Sequence, residues 1–273
     1  MIKKTIKRFL KSHGFEKLDD NKKYELICNA LNTAYEENRF SILIKDSFGI
    51  ITERETNENW RFLLENRVSN DANLWMSVFK DMIPAGKLAV DVGGAIGITP
   101  IYFSKLYDIV DAYEPILGNQ VRFKKNLVLN NVTNVRLIPK ALSNICGKQF
   151  MNEYESFGHH SLGDVFDAKS NRVEVGVSTL DAEYYKKSCI DLLKLDIEGY
   201  ELEALLGAKN LLKEGMIRCI IIENSPQLLR RRGIESKTIF EILNGSGFSI
   251  YDFNKNRVTG FGSEQGDYIC LKS

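Results

Sequence analysis

The chain has 273 residues, of which 44% are apolar and 27% are charged, and its 37 basic residues nearly balance its 36 acidic ones. This composition suits one large domain, or one domain with an appendage, around a sizeable core. The balanced charge gives no argument for nucleic acid or an anionic membrane as a partner. Apolar runs such as 219–222 are too short to span a bilayer.

Five cysteines stand at positions 28, 146, 189, 219 and 270, widely spaced and without a C-x-x-C pair. An odd, scattered set of this kind is typical neither of a disulfide framework nor of a zinc site. We therefore expect reduced thiols and a cytoplasmic protein.

Residues 1–72 are predicted to form an α+β appendage. Ile2, Ile6, Phe9 and Leu10 fall on one helical face, with lysine and arginine side chains around the other. This pattern predicts a docked amphipathic helix, with peripheral membrane contact as the less favoured alternative. The run SILIKDSFGIITERE alternates around Gly49 and predicts a β-hairpin.

From about residue 73 to residue 273, apolar runs alternate with helical patterns. This order predicts a doubly wound α/β domain with a mostly parallel, seven-stranded sheet. The predicted strands are Leu88–Val92, Asp108–Tyr113, Val135–Lys140, Ile190–Leu195, Arg218–Glu223, Phe248–Phe253 and Asp267–Leu271.

Two dipeptides that end in proline predict where helices begin after strands. Thr99 is expected to cap a helix with Pro100 at its first position, and Ser225 and Pro226 repeat this arrangement. Residues 146–178 interrupt the alternation with a polar stretch between short β-like runs. Polar loops of this kind over strand ends are often substrate lids.

In an open parallel sheet, ligands bind beyond the carboxyl ends of the strands. The first predicted strand ends there in the glycine turn DVGGAIG, residues 91–97. The turn has no Gly-Lys-Ser/Thr ending, which excludes a phosphate-binding P-loop. A dinucleotide fingerprint would need glycine at 92, or at both 95 and 98, where Val92, Ala95 and Ile98 stand. An NAD-dependent dehydrogenase is therefore disfavoured but remains open.

Two acidic residues narrow the choice of cofactor. Asp91 precedes the turn and would repel a pyrophosphate but attract a cationic group. Glu114 closes the next strand, where a carboxylate can accept hydrogen bonds from two ribose hydroxyls. S-adenosylmethionine carries both a cationic end and an unphosphorylated ribose, so the pattern favours it.

With these residues in place, the sequence resembles the FkbM-type S-adenosylmethionine-dependent methyltransferases. The resemblance rests on DVGGAIG (91–97), AYEP (112–115), NLVLNN (126–131), PKALSN (139–144), STLD (178–181) and LLKLDIEGYELEALLGA (192–208). It implies a Rossmann-like fold and a cofactor site formed by Asp91, Gly93, Gly94, Gly97 and Glu114, with Ala141 and Leu142 along the adenine. The family usually has Ala-Asn where Gly94 and Ala95 stand, a difference that backbone contacts should tolerate.

The methyl acceptor is expected near Asp196, which closes the fourth predicted strand in the motif DIEG. Amine-directed relatives carry Asn/Asp-Pro-Pro-Tyr at this position, so DIEG favours an oxygen acceptor. A hydroxyl acceptor needs a general base. The candidate catalytic residues are Asp196, Glu223 and His160. The neighbouring His159 could supply the imidazole in place of His160.

An alternative role for the acidic strand ends is metal binding. Asp196, Glu223 and Asn224 resemble the Asp…Asp-Asn arrangement of catechol-type O-methyltransferases, whose oxygen ligands suit Mg²⁺. Glu198 is instead expected to cap the following helix. The run LLRRRG at 228–233 either binds an anionic acceptor or is merely solvated.

These patterns together predict an S-adenosylmethionine-dependent O-methyltransferase acting on a hydroxyl of a sugar, a glycan or a small molecule. The sugar acceptor is implied by the family resemblance. An RNA ribose methyltransferase is an alternative, although the balanced charge argues against a nucleic-acid partner. A domain that binds S-adenosylmethionine or a partner without catalysis is the other alternative.

Overall fold

The computed structural model describes residues 41–45, 51–55, 77–83, 85–154 and 170–272. The chain divides into two compact units, Met1–Ala72 and Asn73–Ser273. In the first unit, strands β1 (Ser41–Lys45) and β2 (Ile51–Glu55) pair antiparallel, as the alternation around Gly49 predicts. The predicted N-terminal helix lies outside the described residues.

A seven-stranded mixed sheet forms the centre of the second unit. The strands of this unit are β3 (Gly86–Val92), β4 (Tyr107–Tyr113), β5 (Val135–Ile138), β6 (Ala141–Leu142), β7 (Gly147–Tyr154), β8 (Ser170–Ser178), β9 (Ile190–Leu195), β10 (Ile217–Asn224), β11 (Phe248–Asp252) and β12 (Gly266–Lys272). The large sheet has the order β11-β12-β10-β9-β3-β4-β5, and within it β12 is antiparallel to both of its neighbours. The prediction of an α/β domain with a seven-stranded, mostly parallel sheet is confirmed. The ends of each predicted strand differ by at most two residues from those of the observed strand.

Helices flank the sheet. They are α1 (Ile98–Phe103), α2 (Leu117–Leu129), α3 (Leu180–Tyr184), α4 (Glu201–Leu206), α5 (Lys209–Lys213), α6 (Pro226–Arg231) and α7 (Ser236–Gly245), preceded by a helical turn at 77–81. Within the described residues, no helix has the length and apolar character needed to cross a bilayer.

The two predicted helix starts have different outcomes. Ser225 is the N-cap of α6 and Pro226 occupies its first turn, as predicted. The prediction for Thr99 is wrong, because α1 starts one residue earlier, at Ile98, with Gly97 as its N-cap. Gly97 has a φ of 92°, a left-handed conformation that turns the chain directly into the helix.

The core fills both faces of the sheet. One face buries Leu193, Leu195 and Ile222 together with side chains of the helices that follow β9 and β10. The opposite face buries Ala89 and Leu192 with aromatic side chains of the first helices. The register pairs Val92 with both Tyr113 and Leu195, and Leu195 with Ile222. The carboxyl ends of β4, β3, β9 and β10 therefore meet at one edge of the sheet.

A second sheet of three strands, with the order β6-β8-β7, stands beside this edge. Most of this sheet comes from residues 146–178, for which the sequence predicts only two short β-like runs on either side of a polar stretch. Strands β7 and β8 pair antiparallel from Gly147–Val177 to Tyr154–Ser170. The polar stretch between them, which contains His159 and His160, lies outside the described residues.

Candidate active site

The glycine turn after β3 is held against two neighbouring strands. The backbone N–H groups of Gly93 and Gly94 donate to the carbonyl oxygen of Tyr113 at 3.1 and 2.9 Å. Gly93 has a φ of 92°, and a Cβ atom there would lie 2.0 Å from the carbonyl oxygen of Asp196. Glycine is required at position 93 because the loop after β9 approaches the turn so closely.

The other two glycines of the turn make room for α2. A Cβ atom on Gly94 or on Gly97 would lie 3.0 Å from ring atoms of Phe123, which is fully buried. These glycines bring the turn and the helix together. The family resemblance implies that they hold the cofactor, and that role stays a prediction.

Ala95 lies between these glycines in a left-handed conformation, with a φ of 45°. Because this region disfavours residues with a Cβ atom, Ala95→Gly is expected to raise the free energy of unfolding by about 0.5–1 kcal/mol in urea denaturation. The control is Ala182→Gly, on an exposed helical position of α3, which should lower it by a similar amount. Destabilisation by both variants would show that Ala95 is not strained.

Glu114 follows β4 and connects the turn with the next loop. Its Oε2 accepts a hydrogen bond from the N–H of Ala95 at 2.9 Å, and its Oε1 accepts one from the N–H of Ile116 at 2.8 Å. Burial raises the pKa of this carboxyl to about 7, although these hydrogen bonds act in the opposite direction. Glu114 thus fixes the turn and also lines the adjoining cavity.

A cavity of about 350 Å³ opens at the carboxyl ends of the strands, a size typical of small-molecule sites. The predicted site residues that line it are Gly93, Glu114, Ala141, Leu142, Asp196 and Glu223. Those placed outside its lining are Asp91, Gly94, Gly97 and Asn224. Met151 of β7 adds to its apolar wall, next to Ala141 and Leu142. The small sheet that the sequence did not predict therefore forms part of the site.

Acidic side chains of β10 and of the loop after β9 lie at one end of the cavity, namely Asp196, Glu198 and Glu223. The Glu223 carboxylate accepts hydrogen bonds from Ser225 Oγ at 2.9 Å and from Gln265 Nε2 at 2.7 Å. Burial, followed by repulsion from Asp196, raises the pKa of Glu223 to about 7. This end of the cavity suits a cationic ligand or a group that gives up a proton.

The carboxylate that organises the loop before α4 is Glu201. Its Oε1 accepts the N–H groups of Ile197 and Gly199 at 3.0 and 3.2 Å, and the side chain is fully buried. Glu198 does not take the predicted capping role, because Glu198 and Gly199 both have left-handed φ values and the helix starts only at Glu201.

Sequence reasoning missed Lys194, a lysine of β9 that is 4% exposed. Its ammonium group donates to Asp196 Oδ2 at 2.7 Å and lies 3.7 Å from Asp91 Oδ1. The available signal was a single charge inside the leucine run LLKL of a central strand. Such a charge is expected to be buried and paired.

The geometry does not support the alternative metal site. Asn224 is buried outside the cavity lining, and its Nδ2 donates to the carbonyl oxygen of Gly262 at 3.3 Å. Of the three suggested ligands, only Asp196 and Glu223 line the cavity. Among the described residues, no group of three or more His, Cys, Asp or Glu side chains is arranged to hold a metal ion.

The arginine run after β10 is divided between two environments. Arg232 pairs with Glu203 and lies over the ring of Tyr200, 3.5 Å from its centroid, whereas Arg230 and Arg231 are exposed. Tyr200 lines the cavity. The last arginine therefore supports the wall of the cavity from outside and does not itself line it.

Several solved methyltransferase structures are similar to this chain. A methyltransferase FkbM from Methylobacillus flagellatus KT is 16% identical, with a TM-score of 0.47 over 70% of this chain and 45% of that one. An rRNA methylase from Streptococcus thermophilus is 11% identical, with a TM-score of 0.43 over 74% and 95% of the two chains. Trm5b from Pyrococcus abyssi is 16% identical, with a TM-score of 0.42 over 84% and 54%. The chain thus spans less than half the length of the M. flagellatus structure.

Family membership rests on the sequence itself. None of the curated proteins is significantly similar to this chain. The model of the methyltransferase FkbM domain matches residues 91–250, which include the glycine turn, Glu114 and the acidic strand ends. The chain belongs to the FkbM methyltransferases, a family of S-adenosylmethionine-dependent enzymes.

Proposed function

We propose that the protein is an O-methyltransferase that acts on a hydroxyl group of a sugar, a glycan or a small molecule. The observation that carries this proposal is the set of carboxylates at the cavity end, where Asp196 and Glu223 close neighbouring parallel strands. Carboxylates accept hydrogen bonds from hydroxyl groups and can receive their protons.

The lining of the cavity offers a suitable surface for each part of S-adenosylmethionine. Ala141, Leu142 and Met151 form an apolar wall suited to the adenine, and Glu114 lies where a ribose can donate its hydroxyls. The Glu114 carboxylate already accepts hydrogen bonds from the N–H groups of Ala95 and Ile116 and from the side chain of Asn119, and its remaining lone pair can accept one from a ribose hydroxyl. The acidic end suits the sulfonium and ammonium charges. S-adenosylmethionine supplies an electrophilic methyl group there.

In the proposed mechanism, Asp196 and Glu223 hold the acceptor hydroxyl in line with the methyl group. Asp196 is the general base in this mechanism. Its side chain is 37% exposed, so an acceptor can reach it, and its Oδ2 accepts a hydrogen bond from Lys194. The raised pKa of Glu223 leaves its carboxyl group partly protonated near neutral pH. It therefore suits a hydrogen bond to the acceptor more than removal of its proton. His160 lies outside the described residues and stays a prediction as an alternative base.

Two experiments test the proposal in sequence. Calorimetric titrations with S-adenosylmethionine, S-adenosylhomocysteine and NAD should show micromolar affinity for the first two and none for NAD. Methyl transfer from labelled S-adenosylmethionine is then screened against matched sugars that carry a free hydroxyl or an amine. Transfer to hydroxyl acceptors supports the proposal. Transfer to amines alone, or binding without transfer to any acceptor, contradicts it, and the latter favours the non-catalytic alternative.

The affinity for S-adenosylmethionine should rise between pH 6 and pH 8. Over this range Glu114 and Glu223, each with a pKa of about 7, become ionised and so attract the cationic ligand more strongly. The measurement is a series of titrations at constant ionic strength, with Glu223→Gln expected to reduce the slope. An affinity that does not change with pH would contradict these ionisations.

The stability of the ligand-free protein should change in the opposite direction. The folded state binds more protons than the unfolded chain because burial raises the pKa of Glu114, Glu223 and Glu201, the last to about 8. This stabilisation is complete below the unfolded pKa of glutamate and is lost as the pH rises through the folded values. Urea denaturation should therefore show a decline in the free energy of unfolding from about pH 5 to pH 8.

A further inference from the structure

Three charged side chains lie in a row across two neighbouring strands. Asp91 of β3 and Lys194 of β9 are opposite each other in the parallel register, so their side chains share one face of the sheet. Asp196 is two residues beyond Lys194 and follows the same alternation. The row leads from the buried interior, at Asp91, to the cavity wall, at Asp196.

The ammonium group of Lys194 contacts both carboxylates, but unequally. It donates to Asp196 Oδ2 at 2.7 Å, and its 3.7 Å distance from Asp91 Oδ1 is longer than a hydrogen bond. Asp91 is fully buried, and among the described residues neither of its oxygens has a hydrogen-bond partner. Burial lowers the pKa of Lys194, but attraction to Asp196 and Asp91 outweighs it and raises the pKa overall, so the ammonium stays charged.

We infer that Lys194 is a positioning residue that fixes the carboxylate of Asp196 at the cavity wall, while Asp91 holds the ammonium from behind. The inference rests on the proposed function only where that function places Asp196 at the cationic end of S-adenosylmethionine. Asp91 then acts on the cofactor through Lys194 and Asp196 and has no direct contact with it.

The exposure of Asp196 explains why it needs such a partner. A side chain that is 37% exposed has rotamers that point into solvent, and a hydrogen bond from a fully buried donor selects one of them. The buried ammonium is itself held on both sides. A base at an active site works only when its orientation is fixed in this manner.

The test is a double-mutant cycle on the full chain, read out as the ratio of the affinities for S-adenosylmethionine and S-adenosylhomocysteine. The two ligands differ in the sulfonium charge, so the ratio reports attraction at the methyl end and is unaffected by the folded fraction. We expect Asp196→Asn to lower the ratio about tenfold, Lys194→Met to lower it similarly, and the double variant to fall no further. Lys237→Met, on an exposed position of α7, is the control and should leave the ratio unchanged.

Each other outcome contradicts the inference. If Lys194→Met acted only by removing a positive charge near the sulfonium, the ratio would rise. If Lys194 had a purely structural role, both affinities would fall equally and the ratio would not change. If the effects of the two substitutions multiply in the double variant, Lys194 does not act through Asp196. If Asp196→Asn leaves the ratio unchanged, Asp196 is not at the sulfonium, although methyl transfer to hydroxyl acceptors can still be observed.

A second variant keeps the test valid if Lys194→Met alone does not fold. Asp91→Asn combined with Lys194→Met removes both charges, so no unpaired carboxylate is left in the interior. We expect it to fold and to show the same tenfold lower ratio relative to Asp91→Asn. An unchanged ratio would overturn the inference.

Discussion

Replacing Glu114 with alanine is expected to weaken the binding of S-adenosylmethionine by about 1–3 kcal/mol and to destabilise the ligand-free protein by a similar amount. The first effect follows from the lost hydrogen bonds to the ribose. The second follows because the N–H groups of Ala95 and Ile116 lose their acceptor in a region that water reaches poorly. Isothermal titration and urea denaturation measure the two effects separately.

One further variant separates charge from hydrogen bonding at this position, and another serves as the control. Glu114→Gln keeps one carbonyl acceptor, so it should recover part of the stability while binding stays weak. Glu174→Ala removes an exposed glutamate of β8 that pairs with Lys148, and both properties should stay near those of the wild type. An unchanged affinity in Glu114→Ala would remove Glu114 from the cofactor site.

Asp196→Asn is expected to lower turnover about 10²–10⁴-fold, the usual contribution of a general base. The affinity for S-adenosylmethionine should fall only about tenfold, because the amide loses the charge but keeps the shape of the carboxylate. Initial rates with a hydroxyl acceptor, compared with titrations of the cofactor alone, separate the two effects.

The control for this variant is Asp108→Asn. Asp108 is an exposed residue near the amino end of β4, at the opposite edge of the sheet from the cavity. Its replacement should leave both turnover and affinity unchanged. Full activity in Asp196→Asn would show that another group removes the proton, with the imidazole of His160 as the next candidate.

The large sheet was predictable because the sequence of each strand is sufficient to identify it. Each is a short apolar run, and its end is marked by a polar residue or a turn, as at Asp91 and Glu114. Since parallel strands in a doubly wound sheet end at one edge, the candidate residues could be expected to lie near one another before their pairing was known. Six of them do line one cavity.

The small sheet and the charged row could not be predicted in the same way. In β8, Arg172 and Glu174 alternate with valines, which indicates a strand, but the polar and apolar residues of β7 do not alternate, and neither run reveals which strand it pairs with. The partners of Lys194 depend on which strand lies beside β9, and that is a property of the whole topology. Likewise, Glu201 takes the role given to Glu198 because of two left-handed residues that no periodicity reveals.

The contact between Gly93 and the carbonyl of Asp196 has a consequence for changing the enzyme's acceptor range. The two loops are also joined by the hydrogen bond from Asp196 N–H to the carbonyl oxygen of Val92 at 3.2 Å, so they form one rigid joint. Neither loop can be lengthened or shortened without displacing the other. New acceptor specificity is therefore better engineered elsewhere on the cavity wall, at a position such as Met151 of β7.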